Sequence, residues 1–137
     1  MNEKAQLIAK DFAEKMAGHL PDDKIKAAVD KINTTTTSYP AQLELLSSRS
    51  FYVIITGGKR FDGNVGPAGG GAGWGDVYTD DIERLYRDTV GFQITVALVY
   101  ASVVFFDGNS NYLGNFQGGG MATGGFRGGG SGGWSAQ

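Results

Sequence analysis

The sequence predicts a mainly β domain, all-β with minor α, preceded by an amphipathic helical leader. Residues 57–133 hold 22 of the 23 glycines, so the first third of the chain is almost free of them. Disordered glycine-rich chains lack the β-branched and aromatic residues that bury surface. This stretch has many of both: Val90, Phe92, Ile94, Val96, Leu98, Val103, Val104, Phe105 and Phe106. We therefore interpret the glycines as turn, bulge and close-approach positions of a compact β-structure.

Residues 1–33 form the predicted leader, a hairpin of two short helices. The sequence Gly-His-Leu-Pro at 18–21 stops the first helix, and Asp22 is placed to cap the second. Apolar residues mostly four apart give the first helix one apolar stripe. The stripe consists of Leu7, Ile8, Phe12, Met16 and Leu20.

Three alternatives are open for this stripe: it packs on the β domain, pairs with a partner helix, or lies on a membrane. Lysines and acidic residues balance in the leader, whereas membrane-surface helices are usually rich in Lys and Arg. The balance favours packing or contact with a partner protein. The five residues of the stripe are the candidate membrane or partner helix.

Residues 34–40 are predicted to be a linker, because four consecutive threonines and a serine contain no strong helix former. A first edge strand is the alternative for this segment. The β domain then spans 41–137, where the apolar period changes to two. A hairpin of strands 41–47 and 50–56 is expected first.

One short helix is expected in the β domain, at 79–87. It has Thr79 as its cap, acidic residues in its first turn and arginines in its last, which suits the helix dipole. Strands are expected at 74–78, 89–98, 99–106 and 112–117, with one or two more in the glycine-rich tail. The tetrapeptide Phe-Asp-Gly-Asn occurs at 61–64 and at 106–109. This repeat suggests two similar β halves, or else the chance repetition of a good turn sequence.

Composition excludes several classes of function. The net charge is -2 and the sequence pI about 5.2, with no basic stripe, so no nucleic-acid partner is expected. The chain has no cysteine, which excludes disulfides and thiolate metal sites. The amino terminus has no apolar signal segment. The longest apolar run, residues 94–106, is too short for a transmembrane helix.

No motif predicts a catalytic, cofactor or metal site. The glycine loop at 66–73 is not followed by Lys-Ser/Thr or by a helix that could hold a phosphate. The pattern Asp107-x-Asn109-x-Asn111 resembles the start of a calcium loop, but Gly118 stands at the position of the bidentate acid. An Asx-turn that closes a hairpin is the better interpretation.

The residues of an active site are also lacking. The only histidine, His19, lies at a helix end, and residues 89–136 carry two charges, Asp107 and Arg127. Acidic residues between Asp62 and Asp88 fit turn and cap positions. We predict that the protein is not an enzyme and holds no cofactor.

Aromatic residues alternate along the expected strands and are interpreted mainly as barrel core. Trp134 is the exception, because it lies among glycines near the end of the chain. It is either a final core plug or an exposed anchor. Together with Phe126, it is the candidate surface contact of the β domain.

The order of features from residue 61 to 134 resembles the Vap family, the virulence-associated proteins of intracellular actinobacterial pathogens. The elements are Phe61-Asp62-Gly63, the glycine loop, Gly73-Trp74-Gly75, Val77-Tyr78-Thr79 with Asp81, Leu85-Tyr86, Thr89-Val90, Phe92-Gln93, Phe105-Phe106-Asp107, Asn111, Leu113-Gly114, Gln117 and the closing Gly-Gly-Gly-Ser-Gly-Gly-Trp. The chain departs from the family pattern in its helical leader and in the absence of a signal peptide.

The resemblance implies a compact eight-stranded antiparallel β-barrel of two Greek-key halves with one short helix. It also implies a secreted virulence protein that acts on the host endolysosome and has no established catalytic residues. We therefore expect a non-enzymatic effector that contacts a host membrane or a host protein. The alternatives are a small-ligand-binding barrel, or a toxin or effector interaction module outside the virulence setting.

Overall fold

The computed structural model describes residues 3–46, 50–65, 71–119 and 126–137, without the side chain of Phe126. Within them lie three helices, α1 (Glu3–Met16), α2 (Asp22–Thr34) and α3 (Ile82–Asp88). The described residues also form eight strands: β1 (Ser38–Leu46), β2 (Ser50–Ile55), β3 (Arg60–Asn64), β4 (Gly71–Tyr78), β5 (Gly91–Val96), β6 (Tyr100–Phe106), β7 (Tyr112–Gly119) and β8 (Phe126–Ser135).

The strands form one closed barrel in which every neighbouring pair is antiparallel. Their order around the barrel is β1-β2-β3-β8-β5-β6-β7-β4. In each half the fourth strand returns to lie beside the first, as β4 does beside β1 and β8 beside β5. This is the Greek-key order. The predicted eight-stranded barrel of two Greek-key halves is therefore confirmed.

The repeated tetrapeptide does not mark equivalent positions of the two halves. Residues 61–64 lie on β3, the third strand of the first key. Residues 106–109 begin at the end of β6, the second strand of the second key, and continue into a turn. The two halves share their topology, but the repeat lies on a strand in the first half and runs into a turn in the second, so it does not reflect that shared topology.

The barrel has two different ends. At one end, the chain turns from β5 into β6 at residues 97–99, and the carboxyl-terminal residues of β1, β3 and β7 lie there too. We call this the hairpin end. At the other, the α3 end, lie α3, the turn at 56–59 and the turn at 107–111. Leu85 of α3 is fully buried there and belongs to the barrel core.

Side chains that alternate inward along the strands fill the interior. Phe61 is fully buried, and its ring centroid lies 4.9 Å from that of Phe105 and 5.9 Å from those of Phe51 and Phe92. Edge-to-face and tilted contacts at these distances are favourable for aromatic rings. The described interior is thus packed with side chains.

A second apolar cluster lies outside the barrel, between the leader and β6. It contains Ile8 and Phe12 of α1, Ile32 of α2, and Val104 and Phe106 of β6. The rings of Phe12 and Phe106 stack at 5.9 Å. Of the three alternatives for the leader, the structure shows packing on the barrel.

Several predicted boundaries differ from the structure. Residues 38–40 of the predicted linker belong to β1, because Ser38 to Pro40 pair with β4 and complete that side of the barrel. The strand predicted at 89–98 ends at Val96, since the chain turns at 97–99, where the Ala97 N–H donates to the Tyr100 carbonyl at 2.8 Å.

The cap of α3 also differs from the expectation. Asp81 caps the helix, and its side chain accepts from the Arg84 N–H at 3.1 Å. Thr79 is buried instead, and its hydroxyl donates to the Leu113 carbonyl at 2.7 Å. Thr79 therefore links the segment between β4 and α3 to β7 and does not cap the helix.

Candidate functional site

The apolar stripe of the leader faces the barrel. Ile8 and Phe12 are buried, and Met16 and Leu20 are half-buried against the same cluster. Leu7 points away from it and is 49% exposed. The stripe can meet a membrane or a partner protein only after it leaves the barrel wall. None of the described helices is long and apolar enough to cross a membrane.

Of the two alternatives for Trp134, the structure shows a side chain packed against the core and not an exposed anchor. The β8 register places it opposite the inward-facing Phe61, so its side chain turns toward the core. Its ring lies 5.5 Å from Phe61, 5.2 Å from Phe105 and 5.3 Å from Tyr86. Phe126 begins β8 opposite Val96, and its side chain lies outside the described part of the chain.

The most exposed aliphatic residues of the described chain lie at the β5–β6 turn. Leu98 is 82% exposed and Val99 is 65% exposed. They stand side by side at the hairpin end, while Ala97 beside them packs against the leader cluster. Between residues 89 and 136 the sequence has only two charges, Asp107 and Arg127. We call Leu98 and Val99 the aliphatic tip.

A second exposed surface lies on the outer wall of the first Greek key. Trp74 is 69% exposed, which corrects the expectation that it is core. Along β4, Gly73 and Gly75 pair with the inward-facing Leu43 and Ala41, so the strand's alternation turns Trp74 outward. We call this surface the Trp74 wall; its outward-facing members on the neighbouring strands are Gln42, Glu44, Tyr52, Ile54 and Arg60.

Polar contacts stiffen the Trp74 wall. The Arg60 guanidinium lies over the Tyr52 ring, 4.2 Å from its centroid, and forms an ion pair with Asp62 at 2.8 Å. The Tyr52 hydroxyl donates to the Glu44 carboxylate. Trp, Tyr and Arg are the residue types that dominate protein-binding hot spots.

Asp107 closes the β6–β7 turn, and this Asx-turn replaces the calcium site that its spacing resembles. Its carboxylate accepts from the backbone N–H groups of Asn109 and Asn111, each at 2.9 Å, and from the Asn111 side chain at 3.0 Å. Burial raises the pKa of Asp107, but these hydrogen bonds and the charge of Arg84 outweigh it and lower the pKa. The described residues contain no group of three metal-binding side chains.

Four of the six acidic residues from Asp62 to Asp88 have structural partners. Asp62 pairs with Arg60, Asp80 with Lys31 at 2.7 Å, and Asp81 caps α3. Hydrogen bonding to Arg87 lowers the pKa of Asp88, whereas a general acid at neutral pH needs a raised one. These carboxylates therefore serve helix capping and surface ion pairs.

An open groove of about 750 Å³ lies at the α3 end. Tyr39, Ile55, Ile82 and Tyr86 give it apolar sides, and Lys59 lies at its rim. Gln137 reaches into it and donates its amide to the Gly58 carbonyl at 2.5 Å. The groove is outside the barrel, so it is not the interior cavity that a ligand-carrying barrel needs.

Comparison with known proteins identifies the family. Residues 1–135 match the family model described as Rhodococcus equi virulence-associated protein. The chain belongs to this family. The virulence-associated protein VapB from the intracellular pathogen Rhodococcus equi has a similar structure, with a TM-score of 0.65 and 34% identity over 74% of this chain and 98% of VapB.

VapD of the same organism gives a TM-score of 0.62 and 33% identity, over 72% of this chain and 97% of VapD. No curated protein sequence matches the chain significantly. The predicted Vap family membership is confirmed. About a quarter of this family member has no counterpart in the VapB or VapD structure.

Two candidate surfaces were missed from the sequence. The aliphatic tip could have been found, because the apolar run from 94 to 106 is too long for one strand and must turn near its middle, at Leu98 and Val99. Trp74 gave no such signal, since a tryptophan between glycines on a strand fits either side of a barrel wall.

Proposed function

We propose that this chain is a secreted, non-enzymatic virulence protein that acts by contact with a host membrane through the aliphatic tip. Membership of a virulence-associated family supports the virulence role. The observation that carries the membrane contact is the exposure of Leu98 and Val99 side by side at one end of the barrel. Adjacent exposed aliphatic residues on a rigid turn are suited to insertion into the acyl boundary of a bilayer.

The strength of such a contact follows from the area that it buries. Complete burial of a Leu or Val side chain is worth about 1.5–3 kcal/mol, and each 1.4 kcal/mol changes a partition coefficient tenfold. The tip alone therefore supports weak, reversible binding. Arg127 and Asp11, which lie beside Tyr100 at the same end of the barrel, pair with each other, so their charges partly cancel where the tip would approach the bilayer.

Flotation with vesicles of phosphatidylcholine and phosphatidylserine, at neutral and at endosomal pH, tests this function. The wild-type chain is expected to float with the vesicles. A double variant, Leu98→Ser with Val99→Ser, is expected to lose at least about tenfold in partition coefficient. Its urea unfolding midpoint should stay at the wild-type value, because both side chains are exposed.

Val90→Ser is the matched control for the flotation assay. Val90 is 50% exposed, but it precedes β5 and so lies at the α3 end, opposite the tip. This variant should float like the wild type. Equal flotation of the tip double variant and the wild type would contradict the proposal.

The second candidate function is contact with a host protein through the Trp74 wall. An exposed tryptophan beside Tyr52 and Arg60 has the composition of a binding hot spot. In the flotation assay Trp74→Ala should float like the wild type under either candidate, whereas the double variant at Leu98 and Val99 loses vesicle binding only if the tip is the contact. The packed interior speaks against a ligand-carrying barrel.

A further inference from the structure

We propose that the outer wall of β5, β6 and β7 is a docking face for an amphipathic helix, and that the leader is its detachable occupant. The inference concerns a different surface from the aliphatic tip and does not depend on membrane contact. It rests on three observations: the leader and the barrel interior have separate apolar clusters, the interface between them contains polar residues, and ion pairs join the leader to the barrel.

The apolar part of the docking face is small and self-contained. Tyr100, Val104 and Phe106 project outward from β6 and receive Ile8 and Phe12 of α1. The interior cluster of the barrel contains residues from Ala41 onward and none from the leader. The leader therefore covers the barrel without contributing to its interior core.

The rest of the docking face is polar, as suits a wall that can also meet water. Four polar side chains lie buried on the outside of the barrel, where they alternate with inward-facing core residues: Thr95, Ser102, Asn115 and Gln117. Outward-facing polar residues are normal on a solvated barrel wall, whereas a permanently covered wall is usually apolar. The leader covers them in this structure.

The interface also leaves polar atoms without partners. Among the described residues, four buried side-chain atoms have no hydrogen-bond partner within the protein, and three of them lie between leader and barrel: Asn33 Oδ1, Thr35 Oγ1 and Asn115 Nδ2. Asn33 and Thr35 line a cavity of about 250 Å³ beside Gln117. A buried polar atom without a partner destabilises the state that buries it. Interfaces between parts of a chain that move relative to each other are more polar than obligate interfaces.

Charge fixes the register of the leader on the wall. The guanidinium of Arg127 on β8 donates to both carboxylate oxygens of Asp11 on α1, with Nη2 at 2.5 Å and Nε at 3.3 Å from its acceptor. Burial, with a contribution from Asp11, raises the pKa of the neighbouring Tyr100 to about 12, so its hydroxyl stays protonated. Lys31 pairs with Asp80, and Lys24 donates to Asn111. Such partly exposed pairs orient a helix more than they strengthen its binding.

About a quarter of this chain has no counterpart in the structures of VapB and VapD. VapB aligns over 98% of its length and VapD over 97%, with about three quarters of this chain. The partner that fits the docking face is therefore an amphipathic helix with the leader's pattern. It carries apolar residues four apart, as at Ile8 and Phe12, and a carboxylate that reaches Arg127.

The test uses the full chain with a protease recognition site inserted between Thr36 and Thr37. After cleavage, the released leader is expected to stay bound to the barrel. A fluorescent peptide of residues 3–34 should then exchange into the docking face, which is measured by anisotropy. The near-ultraviolet circular dichroism of the barrel should not change during the exchange.

Variants of the labelled peptide set the specificity of the test without altering the barrel. Phe12→Ala should weaken binding by at least about a hundredfold. Leu7 lies on the same helix but is half exposed, so the Leu7→Ala peptide should bind nearly as tightly as the wild-type peptide. Asp11→Asn should weaken it about two- to fivefold. Asp30→Asn, an equal charge change at an exposed position, should have no effect.

Three outcomes would overturn the proposal. The leader could leave only when the barrel unfolds, which would make it part of one cooperative fold. It could leave an intact barrel that does not rebind the peptide. It could also transfer to phosphatidylserine vesicles without rebinding, which would make the wall a cover for a membrane helix.

Discussion

Replacing Phe61 with alanine is expected to lower the free energy of unfolding by about 3–5 kcal/mol. Phe61 is fully buried, and its ring contacts Phe51, Phe92, Phe105 and Trp134. These partners come from β2, β5, β6 and β8, so both Greek keys lose a contact at once. The side chains around the lost ring are held by closed strands and cannot collapse to fill the cavity. Urea unfolding followed by tryptophan fluorescence measures the loss.

Trp74→Ala is the control for Phe61→Ala, because it removes an even larger aromatic side chain from the outer wall. Trp74 is 69% exposed, so its loss should change the free energy of unfolding by no more than about 0.5 kcal/mol. Unfolding is then followed by circular dichroism for both variants. Equal losses in the two variants would mean that the interior is not organised around Phe61.

Gly132→Ala is expected to destabilise the barrel by about 3 kcal/mol, at the upper end of the usual cost of overpacking. A Cβ at this position would lie 2.4 Å from the Asp62 carbonyl oxygen and 2.6 Å from the Phe61 ring. The first atom is backbone in the neighbouring strand and the second belongs to the core ring, so neither can move away. The clash would push β8 off β3, which closes the barrel between the two keys.

The next residue provides the matched control. A Cβ at Gly133 meets nothing within 4 Å, so Gly133→Ala should be neutral or stabilise the fold by up to about 1 kcal/mol through the unfolded chain. Both variants are compared by their urea midpoints. A loss of stability for Gly133→Ala as large as that for Gly132→Ala would refute the assignment of inward and outward glycines on β8.

The barrel itself was predictable because local patterns specify it. Period-two alternation places Leu43, Leu45, Phe51 and Val53 on one face, and turn residues separate the strands. Closure and strand order came from resemblance to a family, since no local pattern encodes which distant strands pair. The start of β1 was missed at Ser38, because a threonine-rich segment fits a linker as well as an edge strand.

The position of the leader could not be read from α1: the charge balance argued against a membrane, but an apolar stripe can pack on a barrel or on a partner helix. The deciding signal lies in β6, where all seven residues from Tyr100 to Phe106 are buried. Three outward-facing residues of this strand, Tyr100, Val104 and Phe106, are apolar or aromatic, which favours an element that packs on its outer side. Trp134 was ambiguous for a related reason, since only its register opposite Phe61 turns it inward.

The most direct test of membrane contact places a reporter on the aliphatic tip. The chain has no cysteine, so Leu98→Cys accepts a polarity-sensitive fluorophore at one position, and Trp74→Cys supplies the matched label on the outer wall. On phosphatidylcholine and phosphatidylserine vesicles, the label at 98 should shift its emission to the blue and be quenched by a lipid-phase quencher, while the label at 74 should not. A label at 98 that stays in water while the protein is bound to the vesicles would contradict the account.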